Sequence, residues 1–300
     1  MLVRRTGLAT AVRHTVARRR ASILLYHDPS LDVLERHLDY LAPRYNFVRL
    51  GDLVDAITRD DWVSLPPRAL VLTFDDGHRG NVELRDLFVR YGVRPTIYIC
   101  SQIVATNRHY WFLETDDPEP YKPLSNNDRL AALEDLGFGP TKEYAEAHAL
   151  QIREIDQLKD AVDFAAHSRF HPILTACSDH ECANEIEQSR VEVEALVDQS
   201  CPDFSYPNGD YGSRELALVQ GAHYRSARTV DLGWNDATTD PFALKILGTS
   251  DTASVNRLAA DLTGVSGYLA RLKVGSFRGK HRPALRPRSE PRAASSQAPP

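Results

Sequence analysis

Apolar residues along this chain fall into two alternating patterns. Short continuous runs at Ser22–Tyr26, Ala69–Leu72, Pro95–Cys100, Val162–Ala166, Asp203–Tyr206 and Tyr224–Thr229 predict strands buried on both faces. Asn46–Leu50 and Lys245–Leu247 predict shorter ones. Between them, apolar positions recur at helical spacing. Leu31, Leu34, Leu38 and Leu41 form one stripe; Leu84, Leu87, Phe88 and Tyr91 form another, stopped by Gly92. Further helices are expected over Leu53–Ile57, Ile152–Ala161, Arg214–Gln220, Val255–Leu262 and Gly267–Leu272. Ser178-Asp-His-Glu181 fits a capping box and opens a helix reaching about Val197. Strand and helix alternate, which predicts an α/β fold with parallel strands and right-handed crossovers.

Ala105–Ala149 breaks the rhythm. It is polar and loop-rich at first, then helical around Asp128–Leu136 and Lys142–Leu150, and an insertion of this length suits a lid or a substrate wall. The 300 residues suffice for one large domain, expected over residues 21–275 with this insertion at about 105–150. The net charge of −5 is unevenly spread. Met1–Arg20 carries six arginines and no acid, Ser276–Pro300 carries a net +5, and the body between them is therefore at −16. An acidic body argues against a nucleic-acid groove. Leu8, Val12 and Val16 recur every four residues beside arginines, so residues 1–20 suit either a frayed leader or an amphipathic helix on an anionic membrane. The Pro/Arg/Ser-rich residues 276–300 are expected to be disordered. No apolar run of 18 residues exists, no signal peptide is evident, and the four cysteines lack Cys-x-x-Cys spacing; together these predict a cytoplasmic protein, peripheral at the inner membrane face if residues 1–20 form the amphipathic helix.

Chemistry gathers at the predicted strand ends. Ala69–Leu72 runs into Thr73-Phe-Asp-Asp-Gly77. Asp-Asp-Gly alone is an ordinary turn; two carboxylates at the C-terminal end of a barrel strand suggest one holding a metal and one moving protons. Val162–Ala166 runs into His167-Ser-Arg-Phe-His171-Pro172, whose histidines can converge on one ion from a helix turn or a tight loop; Pro172 favours the loop. One aspartate and two histidines leave coordination positions open for water and substrate. His27 ends the first strand, and Asp203–Tyr206 ends in Pro207-Asn-Gly209, a turn that exposes backbone N–H groups. Tyr110, Trp111 and Trp234 are candidates for stacking on a sugar ring.

In this order the pieces resemble the polysaccharide deacetylases, the NodB-homology or carbohydrate esterase family 4 group. Thr73-Phe-Asp-Asp-Gly77 is similar to the family's first motif, His167-Ser-x-x-His171 to its second, and Phe204-Ser-Tyr-Pro-Asn-Gly209 to the third as found in exopolysaccharide deacetylases. Leu24-Leu-Tyr-His27 and Tyr224-Arg-Ser-Ala-Arg228 resemble the same branch. The resemblance implies a distorted (β/α) barrel and a divalent metal, commonly zinc, with cobalt or nickel as alternatives. It implies Asp76, His167 and His171 as metal ligands, Asp75 as general base, and the Asn208 N–H as an oxyanion donor. Tyr206, Pro207, Arg228 and Trp111 are expected to meet the substrate.

The chain departs from the commoner pattern in two places. The family's late Asp-His pair is missing before His281, so His27 is the expected general acid. The third motif lacks the arginine that partners the base, leaving Arg79, Arg225 or Arg228 to replace it. The expected activity is removal of an N-acetyl or similar small acyl group from an amino sugar in a polysaccharide, glycoconjugate or lipid-linked glycan precursor. The alternatives are a non-catalytic carbohydrate-binding protein on the same fold and a hydrolase of a non-sugar amide.

Overall fold

The computed structural model describes residues 7–264. The expected helix at Gly267–Leu272, the basic tail 276–300 and the first six residues of the leader lie outside them. Eight strands form one parallel sheet: β1 (Ser22–Tyr26), β2 (Asn46–Phe47), β3 (Ala69–Phe74), β4 (Thr96–Ile99), β5 (Asp163–Ala166), β6 (Asp203–Ser205), β7 (Ser226–Leu232) and β8 (Leu244–Gly248). β1 pairs with both β3 and β8, which closes seven strands into a barrel and leaves β2 beside β3. Every residue of β1, β3 and β4 is buried, because side chains pointing inward fill the barrel and those pointing outward meet helices. This is the α/β barrel with outer helices that the strand-helix alternation predicts.

The chain enters through α1 (Leu8–His14). It buries Ala9 and Arg13 and leaves Leu8 and Val16 exposed, so its apolar stripe faces away from the body. α2 (Leu31–Leu41) begins at Ser30, whose hydroxyl accepts from the Val33 N–H; Leu34, Leu38 and Leu41 are fully buried while Leu31 is exposed. α3 (Leu50–Thr58) and α4 (Arg85–Tyr91) follow, α4 ending on the left-handed Gly92. After the insertion come α6 (Ile152–Leu158), the capping-box helix α7 (Asp179–Val197), α8 (Ser213–Gly221) and α9 (Val255–Asp261). Among the described residues no helix is long and apolar enough to cross a membrane, and all four cysteines are buried free thiols.

The insertion holds one α-helix, α5 (Asn126–Glu134), capped by Ser125. The second helix expected there, over Lys142–Leu150, does not form. That stretch runs along the Asp-Asp-Gly loop instead and gives its backbone groups to it. Leu150 N–H donates to Gly77 O (2.9 Å), Arg79 N–H to His148 O (2.9 Å), and Ala149 bridges His78 antiparallel. A helix would have used those groups internally. Trp111, Leu133 and Phe138 of the insertion make a small second core with Ile173 from the loop after β5, and Phe112 packs against both this core and that of the barrel.

Candidate active site

β3 and β5 deliver the ligand-type side chains to the same end of the barrel. The turn after β3 starts one residue earlier than Gly77: Asp76 itself has a left-handed φ of 69°, followed by Gly77 at 65°. A Cβ at Gly77 would stand 2.7 Å from Ile99 Cγ2, so close packing as well as conformation asks for glycine. The turn sends the two carboxylates to different company. Asp75 Oδ2 accepts from the Arg228 guanidinium, which also donates to Ser205 Oγ. Asp76 Oδ2 lies 3.2 Å from His78 Nε2. Asp76 Oδ1 is buried without a hydrogen-bond partner, 3.3 Å from His171 Nε2 and 3.5 Å from His167 Nε2.

His167 ends β5 and donates its Nδ1–H to Ser205 O (2.8 Å), a bond that leaves the Nε2 lone pair facing Asp76. The loop to His171 is tight, as Pro172 suggested, with Ser168 and His171 left-handed at φ 64° and 57°. Ser168 Oγ accepts from the His171 N–H (3.1 Å). Glu185 of α7, buried behind the loop, accepts from the Arg169 and Phe170 N–H groups (2.8 and 3.0 Å).

Burial would raise the Asp76 carboxyl, but His171, His78 and His167 around it hold it far below the usual carboxylate range. Burial pushes His171 down to about 4, against the pull of Asp76, so its ring is neutral at pH 7 and can offer a lone pair. The ligating atoms of Asp76, His167 and His171 all lie within 4.8 Å of one another. A buried carboxylate oxygen without a partner, set between two imidazole Nε2 atoms, fits a divalent cation held by mixed N/O donors with positions left open.

These groups stand at the base of a cleft of about 560 Å³. His27 and Asp28 at the end of β1, Asn208 and Gly209 after β6, Val230, and Trp111, Phe112, Leu113, Pro118 and Lys122 from the insertion line it. The insertion is thus a wall of the cleft. His27 is half-exposed, with Nδ1 3.9 Å from Asp251 Oδ2. The Asp251 carboxylate also accepts from the backbone N–H groups of His27 (3.1 Å) and Asp28 (3.0 Å), which ties the end of β1 to the loop after β8. Asn208 is exposed, left-handed at φ 56°, and its side chain donates to Asp210 Oδ2 (2.6 Å).

The other expected substrate contacts sit deeper. Arg228 is fully buried beneath Asp75, its guanidinium 5.2 Å from the Tyr98 ring centroid. Tyr206 is buried against Tyr211 with its hydroxyl on Phe242 O (3.2 Å), and Pro207 is buried beside it; neither lines the cleft. Trp111 lines the cleft but is only 4% exposed. Of the stacking candidates, Tyr110 is fully buried and Trp234 lies away from the cleft. Two residues here were missed in the sequence. His78 directly follows Asp-Asp-Gly, and a histidine so close to a candidate ligand was a usable signal. Asp251 lies 224 residues from His27, and no local pattern announces it.

A family model described as polysaccharide deacetylase matches residues 63–227. Comparison with the curated proteins finds no match. Among solved structures, the chain is similar to the Streptococcus pyogenes deacetylase PplD in complex with acetate (TM-score 0.59, 16% identity, covering 81% of this chain and 98% of that one). It is similar to IcaB from Ammonifex degensii (TM-score 0.59, 14% identity, 82% and 97% covered). It is also similar to a de-N-acetylase from Aggregatibacter actinomycetemcomitans (TM-score 0.56, 12% identity, 81% and 99% covered). At these identities the structural likeness is one of fold.

Proposed function

Because this chain belongs to the polysaccharide deacetylase family, we propose that it is a metal-dependent hydrolase that removes an N-acetyl or similar small acyl group from an amino sugar of a glycan or glycoconjugate. The observation that carries the reading is the buried trio Asp76, His167 and His171, with the unpartnered Asp76 Oδ1 between two imidazole nitrogens. These three residues would hold a divalent ion, zinc before cobalt or nickel. When bound, the ion supplies Lewis acidity, polarising the amide carbonyl and acidifying a water.

The remaining steps belong to the chain. Asp75, its Oδ1 buried and without a partner, takes the proton from the attacking water, while Arg228 keeps the other carboxylate oxygen still. The Asn208 N–H, at the left-handed turn beside the cleft, meets the charge that develops on the carbonyl oxygen. The C–N bond then breaks, and His27, braced by Asp251, gives a proton to the departing amine. His27→Ala should therefore lose turnover and keep its metal.

The body works in a reducing, cytoplasmic setting, which suits four buried free thiols. Arg18, Arg19 and Arg20, exposed at the end of the basic leader, make a peripheral contact with anionic membrane.

The test is metal content of the purified protein beside His167→Ala/His171→Ala, with acetate release from N-acetylated amino sugars followed in parallel. One divalent ion per chain, lost in the double variant together with acetate release, is expected. A wild type that takes up no ion and releases no acetate would move a carbohydrate-binding role to the front.

A further inference from the structure

The insertion enters the cleft as Tyr110-Trp111-Phe112, and each of the three touches a candidate metal ligand. The Tyr110 hydroxyl, fully buried, donates to the backbone carbonyl of Asp76. The Trp111 Nε1–H donates to the backbone carbonyl of His171 (3.0 Å). The Phe112 ring meets the His171 ring edge-on, centroids 5.0 Å apart. The two residues whose carbonyls are held share a property that His167 lacks. Asp76 and His171 are both left-handed, at φ 69° and 57°, in a region that non-glycine residues leave unless the surroundings hold them there. His167 sits at a strand end, and its ring is fixed by Ser205.

Behind Trp111 lies a second uncommon feature. Arg129 of α5 is 1% exposed, and no ion pair joins it to a carboxylate among the described residues. Its guanidinium donates to Leu124 O (3.1 Å) and Tyr121 O (3.4 Å), keeps one buried nitrogen unpartnered, and lies 5.0 Å from the centre of the Trp111 ring. Burial lowers its pKa, so holding this cation inside is unfavourable unless something answers its charge. The indole face is the answer available to it. Leu133, Phe138 and Ile173 complete the small core that fixes the stack, and Ile173 stands two residues past His171.

We infer that Tyr110 and Trp111 are positioning residues that hold the strained backbones of Asp76 and His171 in ligating geometry, and that Arg129 acts through Trp111. This rests on the metal-hydrolase reading above. In it, the insertion is a clamp on two of the three ligands as well as a wall of the cleft. Trp111, being nearly buried, serves the ligand before it serves the substrate.

Tyr110→Phe and Trp111→Phe test this by deleting a donor while keeping an aromatic ring. Zinc affinity is measured by competition with a chromophoric chelator, with thermal unfolding of the metal-free proteins alongside. Each variant should bind zinc about 10- to 100-fold more weakly, the usual effect of losing an outer partner of a ligand, while its metal-free form, destabilised by the orphaned carbonyl, still unfolds in one cooperative transition above the temperature of the binding assay. Arg129→Met should weaken zinc binding in the wild-type background and add little in the Trp111→Phe background. A cobalt-loaded sample of each variant should show an altered d–d spectrum. If the wild type binds zinc and both aromatic variants bind it equally well, this inference is overturned and the metal reading stands. If the wild type binds no divalent ion, both fall together.

Discussion

Asp75 and Asp76 are neighbours in sequence and differ in company: Asp75 accepts from an arginine, with His167 Nε2 3.8 Å away, while Asp76 faces three histidines. Substituting each should therefore give a different defect. Asp75→Asn should keep the metal and lose about 10²–10⁴-fold in turnover, the usual share of a general base; equal loss of metal and activity would move Asp75 into the ligand set. Arg228→Met leaves the Asp75 charge buried and unanswered, which costs roughly 3–5 kcal/mol. Denaturant unfolding should show that loss, and the double variant Asp75→Asn/Arg228→Met should lose less than the sum of the two. Additive losses would mean that the pair does not interact. The four strand-end residues Asp75, Asp76, His167 and His171 were legible because strand ends are where barrels place chemistry. The arginine that meets Asp75 was not, because Arg79, Arg225 and Arg228 are alike as residues. Register separates them: Arg228 pairs with Ser205 across β6 and β7 and turns inward, Arg225 reaches Asp55 and Asp203, and Arg79 reaches Glu154 at the surface.

At the scale of elements, the apolar stripe alone placed helix α2 to the residue, and the Ser30 cap lies where that stripe begins. Lys142–Leu150 was misread because helical composition cannot report that a neighbouring loop lacks hydrogen-bond partners. α2 also carries a residue whose job no pattern predicts. His37 is buried, its Nε2–H donating to Ala253 O (2.8 Å) and its Nδ1 3.1 Å from the Tyr26 hydroxyl, so it ties α2 to β1 and to the loop that carries Asp251. Burial lowers its pKa, with Arg36 adding to the effect, against the Ala253 bond and Asp251. The folded protein therefore binds this proton less readily than the unfolded chain does. Stability is unaffected well above the unfolded value of about 6.5 and falls as pH drops below it, until the folded value is reached. Unfolding midpoints at pH 7.5 and pH 5 should fall further in the wild type than in His37→Gln. An equal fall in both would remove His37 from the account.

At the scale of the molecule, the parallel barrel separates two surfaces. The cleft opens where the strands end. Arg18, Arg19 and Arg20 line a groove with Trp62, Leu65 and Ala69, where β3 begins, and Val63 beside them is 93% exposed. Arg68 N–H donates to Arg18 O (3.3 Å) and Trp62 Nε1–H to Arg19 O (3.1 Å), so the arginine backbone is fixed against the barrel while the three side chains stay exposed, Arg20 beside Asp236 (3.8 Å). Charge with an exposed apolar tip suits an anionic bilayer surface. A membrane met there would lie one strand length, roughly 20 Å at 3.3 Å per residue, from the reacting centre and on its far side. The 300-residue chain should then sediment with vesicles containing anionic lipid and not with neutral ones. Arg18→Gln/Arg19→Gln/Arg20→Gln and Val63→Asp should each weaken that binding and leave acetate release from a soluble substrate unchanged. Undiminished binding in both variants would clear this face of the role. Binding lost together with turnover would mean that the two surfaces are not independent, as the barrel makes them.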